Sequence, residues 1–334
     1  MIKIVLKITI SSLLIWWLIG QTDVNQIIDN MSTVDPWGIL YSAGIMLLLS
    51  ALQSLRWFIV IRSINSEINY RDAFHNVLVG NFFNQTLPSS IGGDAVRMWR
   101  AYQHGLSSVA AIHSVILDRL TALAALVLMA ALGMPWMFSL LGKTPERWAI
   151  PLIVGSVILT YAALLLFDKL PIQSTSWRPF QTIANLSSNA RRVMLNLNVM
   201  WQILSISILI HLGVGFAVFV IVTAMALPID LIDCLILVPP VILISMVPIS
   251  IAGWGVRESA MVTAFALVGI GNNEAFALSV LFGLVMMLTG IPGGVLWLLS
   301  KNRNRSKKDS EKLFEAAIQN RDDVDLNSSH HEKR

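Results

Sequence analysis

The chain reads as an all-α protein, a polytopic helical bundle integral to a membrane, with about six to eight membrane segments. Three observations predict this. Of 334 residues, 55% are hydrophobic and 13% are charged, against about 25% charged in soluble domains. The mean hydropathy is +0.67. Apolar stretches near the ~20 residues needed to cross a bilayer recur along most of the chain, separated by loops of alternating charge.

The first stretch, about residues 4–20, has Lys3 and Lys7 ahead of its apolar centre. Trp16, Trp17 and Leu18 stand where a cleaved leader carries small residues, so an uncleaved helix is expected. The next loop holds Asp23, Asp29 and Asp35 without Lys or Arg. A second helix is expected over 36–61, with Arg56, Arg62 and Arg71 at or beyond its end. Segment 74–91 is apolar but interrupted by Asn76, Gly80, Asn81, Asn84 and Pro88, and a polar stretch, 92–108, follows. Long helices are expected over 109–133, 149–167 and 199–226, with a basic loop at 169–192 before the last of these.

Asp230 and Asp233 then mark an acidic turn. Segment 235–251 is broken by Pro239, Pro240 and Pro248. A Gly-rich turn at 252–258 leads to a short apolar stretch, 259–270, and a last helix covers about 274–300. The tail 301–334 is polar, opens with five basic residues up to Lys308, and is expected to be mostly disordered. This divides the chain into a membrane domain, 1–300, and a tail, 301–334.

Because positive charge is retained on the cytoplasmic side, both termini are expected inside a bacterial inner (plasma) membrane. Segment 74–91 then enters and leaves on the cytoplasmic face. For 235–270, a re-entrant hairpin and two further crossings satisfy the charges equally.

Two stretches resemble each other. Leu87-Pro-Ser-Ser-Ile-Gly-Gly-Asp-Ala-Val-Arg97 and Val247-Pro-Ile-Ser-Ile-Ala-Gly-Trp-Gly-Val-Arg257 share Pro, Ser, Ile, Gly, Val and Arg in register. Each follows a broken segment that follows a full helix, the pattern of an inverted repeat over 36–167 and 199–300. Pro removes a backbone donor, and freed peptide groups cannot face lipid. The breaks at Pro88, Gly92, Gly93 and at Pro248, Gly253, Gly255 are therefore expected to meet in the interior. Their helix ends would offer unpaired N–H groups to an anionic head group.

Asp118 and Arg119 fall within a membrane helix, and Arg257 and Glu258 follow the second break. Such charges cost several kcal/mol unless paired or hydrated. Neighbours in sequence point to different sides of a helix, so each needs a partner elsewhere: Arg119 with Asp94 or Glu258, and Asp118 with Arg97 or Arg257. Asn81, Asn84, Arg97, Arg119 and Arg257 are the candidate head-group ligands. Asp94, Asp118 and Glu258 are their charge partners. His113 and His211 read as hydrogen-bonding packers.

No P-loop, metal-ligand cluster or nucleophile elbow is present. One cysteine, Cys234, excludes an intrachain disulfide. No cofactor, no metal and no nucleic-acid partner is expected.

The runs Asn81-Phe-Phe-Asn-Gln-Thr-Leu-Pro-Ser-Ser-Ile-Gly-Gly-Asp-Ala-Val-Arg97, Leu117-Asp-Arg119 and Gly253-Trp-Gly-Val-Arg-Glu258 resemble the lysylphosphatidylglycerol synthase transmembrane family, also called flippase-like or UPF0104 membrane proteins. The resemblance covers about residues 1–300. Asp118 stands where that family usually carries Glu, and Ala252-Gly253 replaces a Gly pair. It implies lipid handling: translocation of membrane lipids or of a polyprenyl-linked glycolipid, without the aminoacyl-transferase domain and so without synthase chemistry. Two alternatives are an accessory membrane subunit for envelope-biosynthesis partner proteins, such as a glycosyltransferase, and an integral transferase with Asp94 or Glu258 as base.

Overall fold

The computed structural model describes residues 31–87, 92–142, 145–169, 178–246 and 253–300, with single positions 9, 20 and the pair 26–27. Ten α-helices and no strand occur among them. They are α1 (Pro36–Ser63), α2 (Tyr70–Thr86), α3 (Gly92–Gln103), α4 (Ser108–Leu141) and α5 (Ala149–Leu166). Then come α6 (Arg178–Met194), α7 (Leu197–Ala224), α8 (Leu231–Ser245), α9 (Val256–Ala266) and α10 (Asn272–Leu299). Helices α1, α4, α7 and α10 are long and apolar enough to cross a membrane, and α5 and α8 supply shorter apolar helices. The protein is a polytopic membrane bundle. The chain divides into two units, 1–294 and 295–334. Of the second, residues 295–300 are described, and they end α10 and follow it. The expected first helix and the tail lie outside the described residues.

Lipid tails are as apolar as leucine, so helices in a bilayer associate through close packing and hydrogen bonds rather than by expulsion of water. The α1–α7 pair shows how. Gly38 lies against Ala224, and Leu49 fills the space above Gly213. Ser42 donates to the Ala217 carbonyl at 2.9 Å, and Arg56 reaches Ser207 at 3.2 Å. Positions that rise along α1 meet positions that fall along α7, so the two helices are antiparallel. Helix α4 starts at the end where α1 stops, since Trp57 meets Ser114 and Arg56 meets Asp118.

This fixes the two hairpins. Helix α2 enters from the end where α1 stops, and α3 returns there to hand over to α4. Asn81 of α2 meets α1 at Ser50 and Gln53, about halfway along that helix. Helix α8 enters from the opposite end, where α7 stops. Helix α10 runs antiparallel to α2, with Gly290 beside Phe82 and Gly293 beside Leu78, so α9 also returns to its end of entry. The two hairpins are re-entrant and approach from opposite ends.

Helices α2 and α3 touch at glycine. A Cβ on Gly93 would collide with the Gly80 carbonyl and the Asn84 side chain, and a Cβ on Gly80 would lie 2.7 Å from Arg97 Cγ. On the other hairpin, Gly253 and Gly255 adopt φ of +82° and +86°, a region glycine occupies without steric cost. They reverse the chain into α9.

Four expectations need correction or restriction. Residues 92–103 are helix α3, because Asp94, Arg97 and Arg100 recur every three residues and bury one polar face. The 169–192 stretch contains α6, whose buried side carries Ser187, Ala190 and Val193. Pro239 and Pro240 lie inside α8 without breaking it; buried Leu237, Val238 and Val241 hold that turn against its neighbours. Pro88 and Pro248 lie outside the described residues.

The glycine contact can be tested directly. Gly93→Ala should destabilise the folded protein by about 3 kcal/mol, the upper end for overpacking, because the added methyl meets backbone. Gly44→Ala, with open space around it, should be neutral or stabilising by up to about 1 kcal/mol. Thermal unfolding in detergent measures both.

Candidate functional site

Adjacent residues of α4 hold the site together. Asp118 is fully buried and accepts from Arg56 Nε of α1 at 2.8 Å and from Arg97 Nη2 of α3 at 2.9 Å. One residue on, Arg119 turns the other way and donates from Nε and Nη2 to the two oxygens of Asp94, at 2.8 and 2.9 Å. This two-pronged contact is the strong geometry for a guanidinium and a carboxylate. Asp94 also lies 3.6 Å from Arg97 Nη1. Five ionised groups from α1, α3 and α4 thus form one cluster. Both partners found for Asp118 and Arg119 on α3 are among those expected from sequence.

Arg97 is clamped. Its guanidinium lies 4.4 Å from the centre of the Trp57 ring, and its methylenes rest on Gly80. Its Nε and Nη1 make no hydrogen bond. Trp57 is in turn held by Ser114 at 3.2 Å. One turn along α3, Arg100 donates to Asn76 at 2.7 Å. At the end of that helix, His104 is 3.8 Å from Asp72. Burial lowers its pKa below the ordinary imidazole value, against the pull of Asp72.

The second hairpin carries its own pair. Arg257 Nη2 donates to Glu258 Oε1 at 2.6 Å, and Ser279 of α10 donates to the same oxygen at 3.2 Å. Glu258 Oε2 accepts from the Gly255 amide. Arg257 also lies 4.7 Å from the Trp254 ring and occupies the open side of Gly283. Neighbours in sequence do pair here, because both act from the first turn of α9, where a side chain folds back over the helix start.

A cavity of about 610 Å³ lies between the hairpins, within the usual range for a ligand site. Asn81, Asn84 and Asp94 line it from the first hairpin, and Ser245, Gly253 and Arg257 from the second. Described residues flanking both chain breaks therefore border one space. Arg119 reaches it with its side chain 37% exposed, the most open of the clustered guanidiniums. Four of the five expected ligands, Asn81, Asn84, Arg119 and Arg257, line the cavity. Arg97 does not; it is sealed under Trp57. Asp118 and Glu258 are buried behind the lining.

Two of the helix-start amides at the hairpins, those of Gly93 and Gly255, are already occupied. The Gly93 N–H donates to Asn84 Oδ1 at 3.0 Å, and the Gly255 N–H is taken by Glu258. The protein's own side chains cap both helix starts. Sequence reasoning also missed Arg56, taken for a topology charge. The available signal was its place two turns inside an apolar helix. His211 lines the cavity too, with Nε2 on the Ala122 carbonyl at 3.1 Å and Nδ1 without a partner.

Removing one partner of a buried ion pair leaves an uncompensated charge and costs about 3–5 kcal/mol. Asp118→Asn should lose that much stability in chemical denaturation in detergent, since it leaves Arg56 and Arg97 together. Arg119→Gln should lose less than Asp118→Asn, because Asp94 keeps Arg97 Nη1 3.6 Å away and the lost guanidinium is itself 37% exposed.

The sequence matches the family described as the lysylphosphatidylglycerol synthase TM region over residues 4–293. It is also 24% identical over 289 residues to a UPF0104 membrane protein of Methanothermobacter thermautotrophicus, covering 78% of this chain and 84% of that one. The match spans the helical bundle, both hairpins and every residue of the ionic cluster, and the chain belongs to the lysylphosphatidylglycerol synthase TM-region family.

Proposed function

We propose that the protein is a flippase-like translocase that moves a lipid or lipid-linked sugar between leaflets, with the head group held in the cavity between the hairpins. The observation that carries this reading is Arg119, a partly open guanidinium within a membrane helix, on the wall of a 610 Å³ space lined by residues of both hairpins. Asp94 engages two of its nitrogens, and the exposed remainder of the guanidinium calls for water or a polar guest. Asn81, Gln53 and Arg257 supply further donors around the same space. Hairpins that enter from opposite ends suit alternating access, since either can loosen toward its own side.

The charges at the two ends support a plasma (inner) membrane location with both termini cytoplasmic. Arg62, Arg71, Lys169, Arg191 and Arg192 gather at the end where α1 stops, and Asp35, Asp230, Asp233 and Glu274 at the other. The positive-inside rule places the basic end in the cytoplasm. Both carboxylates that an integral transferase would use as base, Asp94 and Glu258, are engaged by guanidiniums. This favours translocation over catalysis.

Purified protein in liposomes should equalise leaflet accessibility of labelled anionic or polyprenyl-phosphate-linked lipids. A charge-assisted hydrogen bond contributes about 1.5–3 kcal/mol, so Arg119→Gln should slow that flux roughly 10- to 100-fold. Equal accessibility with and without protein, across both lipid classes, contradicts the reading.

A further inference from the structure

The charge count of the site names its ligand further, on the basis of the head-group reading above. Arg56, Arg97 and Arg119 face Asp94 and Asp118, three guanidiniums against two carboxylates, which leaves one positive charge. Arg257 and Glu258 balance each other. His211, on the cavity wall, donates from Nε2 to the Ala122 carbonyl and leaves Nδ1 without a partner. The excess sits where the cluster opens, at Arg119.

Asp94 is shared unequally. It holds Arg119 at 2.8 and 2.9 Å, while Arg97 Nη1, at 3.6 Å, is beyond hydrogen-bond range. That Nη1 is buried and makes no hydrogen bond, an arrangement that costs free energy. A short rotation of the carboxylate would close the Arg97 contact and free Arg119. An incoming anion on Arg119 would drive that rotation, and Arg97 Nη1 would gain the partner it lacks. One negative charge neutralises the cluster, and two would overshoot it. Much of the remaining wall, including Met46, Leu49, Met98, Leu123, Met246 and Met261, is apolar and rich in adaptable thioethers, which suits an acyl or polyprenyl chain.

We propose that the cavity takes a singly charged phosphodiester head group on Arg119, and that Asp94 is its internal competitor, leaving Arg119 for Arg97 Nη1 when the anion arrives. Asp94 is then a specificity-determining residue: a neutral or zwitterionic head group cannot displace it.

Binding to purified protein in detergent tests this, using short-chain phosphatidylglycerol, short-chain phosphatidylcholine and chain-free glycerophosphoglycerol. Wild type should bind phosphatidylglycerol best, and Arg119→Gln should lose at least about 10-fold. Asp94→Asn, which removes the competing charge but keeps the shape, should bind about 10-fold tighter. Equal or weaker binding by Asp94→Asn, with Arg119→Gln still impaired, overturns the competitor and leaves the head-group reading standing. No lipid binding by wild type, or none that depends on Arg119, overturns both. Equal binding of glycerophosphoglycerol rejects a lipid as the source of the phosphodiester. Should Asp94→Asn not fold, hydrogen exchange on wild type decides: phosphatidylglycerol should alter the amides of residues 93–97, phosphatidylcholine should not, and no difference between them contradicts the proposal.

Discussion

The structure depends on one buried carboxylate. Asp118 has no exposure and accepts from guanidiniums on two other helices. Through Arg56 it ties α4 to α1, and through Arg97 it ties α4 to the re-entrant α3. Arg56 extends the tie to Ser207 of α7. In hydrocarbon there is no water to satisfy any of these groups, so loss of one strands the others. The same geometry turns Arg119 away from the core and toward the cavity, because the next residue on a helix points to another side. A structural lock and a half-open cation thus come from two consecutive positions.

The re-entrant hairpins raise the opposite problem: they expose backbone. The protein answers locally, with Asn84 capping Gly93 and Glu258 capping Gly255. Each cap occupies one helix-start amide, and polar side chains supply further donors around the cavity. Small residues do the rest. Gly80 and Gly93 let α2 and α3 touch, and Gly290 and Gly293 let α10 pass across α2. Packing of this kind replaces the hydrophobic driving force that a soluble core would use.

Much of this was legible in sequence, for identifiable reasons. Charge depletion and apolar runs are properties of composition, and they gave the class and most helix positions. The adjacency of Asp118 and Arg119 required partners on other segments, and that argument is local. What failed was local too, but needed tertiary context. Pro239 and Pro240 read as breakers, yet packing holds α8 through them. Arg97 read as a ligand because nothing in the sequence says that Gly80 offers it a seat beneath Trp57. Arg56 read as a topology charge because its depth along α1 shows only against the helices around it.

The translocation reading stands on one condition: the residues flanking both chain breaks face a single hydrated space inside the bundle. Single cysteines at Asn84 and Ser245, one from each hairpin, can be probed in liposomes with a water-soluble maleimide. Native Cys234 is fully buried, and Leu159→Cys on α5, where Leu159 is 71% exposed, serves as the lipid-facing control. Labelling is expected at Asn84→Cys and Ser245→Cys, and none at Leu159→Cys or Cys234. Failure of both cavity positions to react would contradict it.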